Sequence, residues 1–242
     1  CVITNEEGWY KKALDTDLAR PKFAIMNPEI TYTLPDYQTQ CGCADIMMHT
    51  MERYFVLEDT MEITDKIAQD VMKNVMKYAK ILKKDPENYE ARAEIMWCGS
   101  LSHNGLTGCG TCGGDWATHL IEHELGGMFD VAHGAGLAAV WGSWARYVMD
   151  EKPERFAQFA VDVMGVEESD DVKSTALKGI EAVEEFYRMI EMPTNMKELG
   201  IDPTDEQIKD MAMKATNHDT QQLGAFKKLS AKDLVEIYKT AK

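Results

Sequence analysis

The stretch ITDKIAQDVMKNVMKYAKILKK (63–84) places an apolar residue every three or four positions along its whole length. That period lines the apolar residues on one face of a helix, and such a face has to be buried against other elements. The same period recurs in DIMMHTMERYFVLE (45–58), ENYEARAEIMWCGSLSHNG (87–105), DWATHLIEHELGG (115–127), GAGLAAVWGSWARYVMD (134–150), PERFAQFAVDVMG (153–165) and VKSTALKGIEAVEEFYRMIEM (172–192). The punctuation agrees with these limits. Asp85-Pro86, Gly105, the Gly126-Gly127 pair, Gly165 and Pro193 stand at stops, and Pro153 stands in a first turn. Thr204-Asp205-Glu206-Gln207 is a capping box opening a helix towards Thr216, and SAKDLVEIYKTAK (230–242) closes the chain as a last short helix. The start of 134–150 is so apolar that its helix is expected to be buried. These helices therefore make residues 41–242 an all-helical domain, and the fold class is mainly α, a helical bundle.

Residues 1–40 read differently. CVITNEE and KFAIMNPEITYTLP carry short runs with β-branched residues, broken by Asn-Pro and Leu-Pro, and predict a stub of strands and loops. Alone they are too few for a stable sheet. A chain of 242 residues, 45% hydrophobic, can bury a sizeable core, and its 16 methionines suit the filling of such a core. The net charge of −15 argues against nucleic acid or an anionic membrane as partner. The best apolar run, 134–145, ends at Arg146 and is too short to span a bilayer, and no signal-peptide pattern is present. The six cysteines lack the spacing of a secreted disulfide framework, which places the chain in a reducing, cytoplasmic compartment. The first residue is Cys1, so the chain is expected to begin inside a longer gene product.

Five of the six histidines fall between residues 49 and 133. Asp45 and His49 are one helical turn apart, so a carboxylate and an imidazole can point the same way from one helix. Alone, that pair reads as a surface pair. His119 and His123 repeat the spacing on a later helix, and His133 follows in AHGAG, whose glycines allow close backbone approach. Two facing helices and the loop after the second can bring one carboxylate and several imidazoles to a common point, as helical bundles do when they build metal sites. A nitrogen-rich set with one aspartate suits Zn(II) or Fe(II) rather than Mg(II) or Ca(II). The set holds one histidine more than a catalytic ion needs, and spacing does not say which is the surplus.

Two other readings use the same region. His119-Leu-Ile-Glu122-His123 fits H-x-x-E-H, in which both histidines bind zinc and Glu122 is the general base of a metallopeptidase. That reading leaves Asp45, His49 and His133 without a role. Cys41-Gly-Cys43 with Cys109-Gly-Thr-Cys112 could make a four-cysteine site or a redox pair, although C-x-C is a poor spacing for structural zinc. A metal-binding module without catalysis is a further possibility.

The order of motifs resembles the metal-binding half of the iron-containing (group III) alcohol dehydrogenases, in particular their butanol-dehydrogenase-like branch. The resemblance rests on Asp45 and His49, then His119 and His123, then His133-Gly134, within LPDYQTQCGCADIMMHTMERYF (34–55) and GGDWATHLIEHELGGMFDVAHGAGLA (113–138). LGIDPTDEQI (199–208) and LSAKDLVEIY (229–238) are similar to that family's end. The resemblance implies a dehydroquinate synthase-like helical domain with Asp45, His49, His119 and His133 as ligands of Fe(II) or Zn(II). It places His123 beside the nicotinamide and the metal as a catalytic and cofactor-facing residue, and it leaves Glu122 an ordinary helix residue. It also implies NAD(H) or NADP(H), a small alcohol or aldehyde substrate and a homodimer when full length. In that family a nucleotide-binding α/β half comes first. No glycine-rich phosphate loop occurs here, so the chain reads as the C-terminal part of such an enzyme, with residues 1–40 belonging to the missing half. Trp116, Met128 and Phe129 are apolar neighbours suited to an alkyl chain.

Overall fold

The computed structural model describes residues 1–14, 16–58 and 61–242. Nine α-helices follow one small hairpin among them. The helices are α1 (Asp36–Tyr54), α2 (Glu62–Leu82), α3 (Tyr89–His103), α4 (Ala117–Phe129), α5 (His133–Val148), α6 (Pro153–Asp162), α7 (Val172–Met189), α8 (Asp205–Ala215) and α9 (Ala231–Ala241). The expected all-helical body is therefore present, with one helix in each of the segments read as helical. Among the described residues no helix is long and apolar enough to cross a membrane.

Helix α5 is the axis of the molecule. Residues 134–145 are buried throughout, as their composition requires. Helix α1 lies against α5, α2 and α3; α4, α7 and α9 also pack on α5. Trp141 and Trp144 of α5 meet Phe55, Phe156 and Phe159 in an aromatic cluster, in which Phe55 and Phe156 stack at 4.3 Å. Met47, Met48, Met51, Met72, Met196 and Met211 are buried in the same core, the role expected of them.

Several ends differ from the sequence reading, each for a local reason. Helix α1 starts nine residues before Asp45, directly after Pro35, which has no N–H to lose, with Asp36 favourably placed in the first turn. It stops at Tyr54, whose carbonyl accepts two N–H groups of Arg155, at 2.9 and 2.7 Å. That guanidinium also grips both oxygens of Asp65, tying α1, α2 and α6 together. Gly126 and Gly127 do not stop α4. They lie inside it, and Asp130, left-handed at φ 52°, ends it. A Cβ on Gly126 would come within 2.7 Å of Lys11 Nζ, and one on Gly127 within 2.9 Å of the Trp9 carbonyl, so these glycines admit the hairpin.

The hairpin pairs β1 (Val2–Asn5) with β2 (Tyr10–Ala13), antiparallel, with Val2 opposite Ala13. A lone two-stranded hairpin is marginal in water. Here β2 lies on α4, and Lys11 and Lys12 reach Glu122 and Glu124. The strand expected in KFAIMNPEITYTLP is absent among the described residues. Asn27 accepts the Glu29 N–H and Pro28 occupies the first helical position, which turns Pro28–Thr31 into a short 3₁₀ turn.

Candidate metal centre

Asp45 and His49 project from α1, His119 from α4 and His133 from the first residue of α5. His133 is thus a helix-start residue, where the sequence suggested a loop. Gly134 makes this possible, since a Cβ there would stand 2.0 Å from the carbonyl oxygen of Cys41. The first turn of α5 consequently passes directly over α1.

Around Asp45 Oδ1 the Nε2 atoms of His49, His119 and His133 lie at 3.7, 3.6 and 3.6 Å. These separations exceed hydrogen-bond length. Ligand atoms bound about 2.1 Å from a tetrahedral ion stand about 3.4 Å apart, so each of the three imidazoles stands from Asp45 at about the spacing of a coordination shell. Among the described residues Asp45 Oδ1 and His119 Nε2 are buried without a hydrogen-bond partner. Buried polar atoms are rarely left so, and a cation would satisfy both. The donor chemistry, three imidazoles and one carboxylate, fits Fe(II) or Zn(II).

The electrostatics follow from this crowding. Burial works to raise the Asp45 carboxyl, but His119, His49 and His133 outweigh it and hold Asp45 down at about 2. Burial and the neighbouring His119 push His49 down to about 2. Burial also opposes charge on His119, yet Asp45 and Glu52 overcome it and lift His119 to about 9. His123, buried, is pushed down to about 4.

His123 faces His133 rather than the Asp45, His49 and His119 group, its ring 5.6 Å from that of His133. Donor atoms of Asp45, His49 and His119 fall into one group and those of Glu122, His123 and His133 into another. The symmetrical His119/His123 pair is thereby split, which the metallopeptidase reading does not allow. Glu122 has no face for an attacking water either. It is fully buried, bonded to His133 Nδ1 and to Lys11 Nζ at 3.1 Å. For the same reason it is not the ordinary helix residue of the sequence reading. None of the cysteines joins these two groups: Cys41 and Cys43 are buried in α1, and Cys109 and Cys112 are exposed.

Two residues were missed in the sequence. Glu52 accepts the N–H groups of Trp116 and His119 at 2.7 and 3.0 Å and lies 3.0 Å from His119 Nδ1. Its signal was present, since 45, 49 and 52 fall on one helix face. His103 stacks on His49 with ring centres 3.7 Å apart. Its signal was the histidine clustering, with no spacing to assign it. His218 sits in an exposed turn far along the chain, outside both groups.

His49, His119 and His133 border a cleft of about 860 Å³. Its lining includes His103, Trp116, Leu120 and His123 from the helical body and Val2, Ala13, Leu14 and Arg20 from the N-terminal segment. Trp116 thus faces the cleft as expected. Met128 and Phe129 instead pack against the core.

The pattern of known proteins agrees. The family model described as Fe-containing alcohol dehydrogenase family, C-terminal, matches residues 39–242. NADH-dependent butanol dehydrogenase A of Clostridium acetobutylicum is 34% identical over 239 residues, covering 98% of this chain and 61% of that protein. The NADPH-dependent aldehyde reductase YqhD of Escherichia coli is 31% identical over 242 residues, covering 100% of this chain and 61% of that protein. The crystal structure of NADH-dependent butanol dehydrogenase A from Thermotoga maritima superposes with a TM-score of 0.92 at 34% identity, over 99% of this chain and 61% of that one. The chain thus spans about three fifths of the length of these relatives, all of it in a shared helical fold. It belongs to the Fe-containing alcohol dehydrogenase family, whose C-terminal region it carries.

Proposed function

We propose that this chain is the metal-binding catalytic part of an NAD(P)-dependent alcohol dehydrogenase or aldehyde reductase acting on small primary alcohols and aldehydes. Asp45, His49, His119 and His133 hold the ion, Fe(II) or Zn(II), and the nucleotide is held by a domain outside residues 1–242. Residues 1–40 form the junction to that domain, and the full-length enzyme is a cytoplasmic homodimer. The observation that carries the reading is the placing of three imidazole Nε2 atoms at 3.6–3.7 Å around one Asp45 oxygen, beside an open cleft.

When bound, the ion supplies Lewis acidity that lowers an alcohol's pKa and polarises a carbonyl, and the nicotinamide supplies the redox chemistry. The residues of this chain do the rest. His123, kept neutral by burial, sits on the cleft wall beside His133. It orients the substrate oxygen and passes its proton on rather than storing it. Trp116, Leu120 and Leu14 give the cleft apolar walls for an alkyl chain and help to exclude water.

The test is the complete reading frame, metal-loaded, assayed for NADH and NADPH oxidation with butyraldehyde and other simple aldehydes. Turnover that disappears with a chelator is expected. Absence of turnover with every simple aldehyde overturns the reading. Residues 1–242 alone are expected to bind the metal without turnover.

A further inference from the structure

We infer that Glu52 and Glu122 are positioning residues of the metal centre, each holding the Nδ1 edge of one imidazole so that both rings present Nε2 to Asp45. The inference rests on the metal-site reading proposed above.

The two carboxylates approach from different sides and do the same thing. Glu52, from α1, is buried and 3.0 Å from His119 Nδ1. It also accepts the backbone N–H of Trp116 and of His119, so one side chain fixes the start of α4 and the ring carried on it. Glu122, from α4, is buried against His133 Nδ1 at the start of α5. An ionised carboxylate only accepts, so in each neutral ring Nδ1 carries the proton and Nε2 keeps its lone pair. Both Nε2 atoms then stand 3.6 Å from Asp45 Oδ1. Carboxylate partners of this kind fix the tautomer of a metal-binding histidine and raise its basicity. His49 is held otherwise: its Nδ1 is buried without a partner among the described residues, and His103 stacks on its ring.

Glu122, His123 and His133 also lie close enough to hold an ion of their own. The Lys11 ammonium, 3.1 Å from Glu122 Oε2, already occupies that carboxylate and repels a second cation. The device therefore serves one ion, and the hairpin contributes to it by neutralising Glu122.

The experiment is a Co(II) titration of residues 1–242, followed by the visible spectrum and by competition with a chromophoric chelator. It compares wild type, Glu52→Gln, Glu122→Gln, Asp45→Asn and Glu124→Gln. Glu124 is a buried carboxylate of the same helix that bonds Lys12, so it controls for the loss of a buried charge. One equivalent is expected in wild type. Glu52→Gln and Glu122→Gln should each weaken binding by roughly ten- to hundredfold and alter the Co(II) spectrum. Glu124→Gln should bind as wild type. Should Glu52→Gln fail to fold, Glu122→Gln carries the same test. Wild-type affinity and spectrum in Glu52→Gln and Glu122→Gln overturn the inference, as does equal weakening in Glu124→Gln. A second equivalent lost in Glu122→Gln overturns the single-ion role. Binding unaffected by Asp45→Asn overturns the metal-site reading itself, whatever the glutamates do.

Discussion

Asp45 Oδ1 is the atom on which three imidazoles from three helices converge, and its environment sets how the site meets a proton. Without metal, His119 is held at about 9 by Asp45 and Glu52, whereas His49 and His123 stay neutral. A metal must displace the His119 proton, so metal affinity rises with pH, by about tenfold per unit between pH 7 and 9, and levels off above. Chelator competition across that range checks it; a flat profile contradicts it. The same pair sets the pH response of the metal-free fold. His119 is raised, so its stabilisation is present below about 6.5 and lost as pH climbs through about 9. Asp45 is depressed, so its share is lost as pH falls towards about 2. His123→Ala in the full-length enzyme should keep the metal content and lower kcat/KM by roughly a hundredfold or more; loss of metal would make His123 a ligand instead. Asp45–His49 and His119–His123 were legible because residues one turn apart leave a periodic mark, whereas the choice of His133 over His123 came from the order of motifs. Glu52 and Glu122 left the same mark, but a carboxylate at helical spacing reads as a solvated face until burial is known. His103 had no mark, because its stacking on His49 depends on how α3 lies against α1.

At the scale of elements, glycine decides how closely helices pass. The first turn of α5 rides over α1 at Gly134, where a Cβ would meet the Cys41 carbonyl, whereas a Cβ on Gly42 of α1 meets nothing within 4 Å. Gly134→Ala should therefore destabilise the chain by about 1–3 kcal/mol and weaken metal binding by moving His133. Gly42→Ala, on an exposed helical position, should stabilise it by roughly 1 kcal/mol. Chemical denaturation measures both, and an equal response at the two sites would refute the close-approach argument. The helices themselves were legible from their period, and so was the Thr204 capping box, which forms as read. The ends were not. Gly126-Gly127 carries a stop signal, yet serves the approach of the hairpin to a helix that runs on to Phe129. Short β-branched runs after residue 20 promised a strand, but found no partner strand and gave way to the Asn27-capped turn.

At the scale of the molecule, α1, α4 and α5 bring Asp45, His49, His119 and His133 together beside a cleft also lined by the N-terminal hairpin and the segment after it. The buried core around α5 makes that convergence rigid, because Trp141, Trp144 and Phe55 lock α5 to α1 behind the site. Class, family and the four convergent residues could be read from spacing and motif order. The hairpin's part in the site could not, since it rests on Lys11 meeting a residue more than a hundred positions away. One ion is proposed to sit among Asp45, His49, His119 and His133. Anomalous X-ray scattering at the iron and zinc edges, from crystals of metal-loaded protein, tests it most directly. A single strong peak is expected about 2.1 Å from Asp45 and from the Nε2 atoms of the three histidines. A peak centred on Glu122, His123 and His133, or on the cysteines, would contradict it.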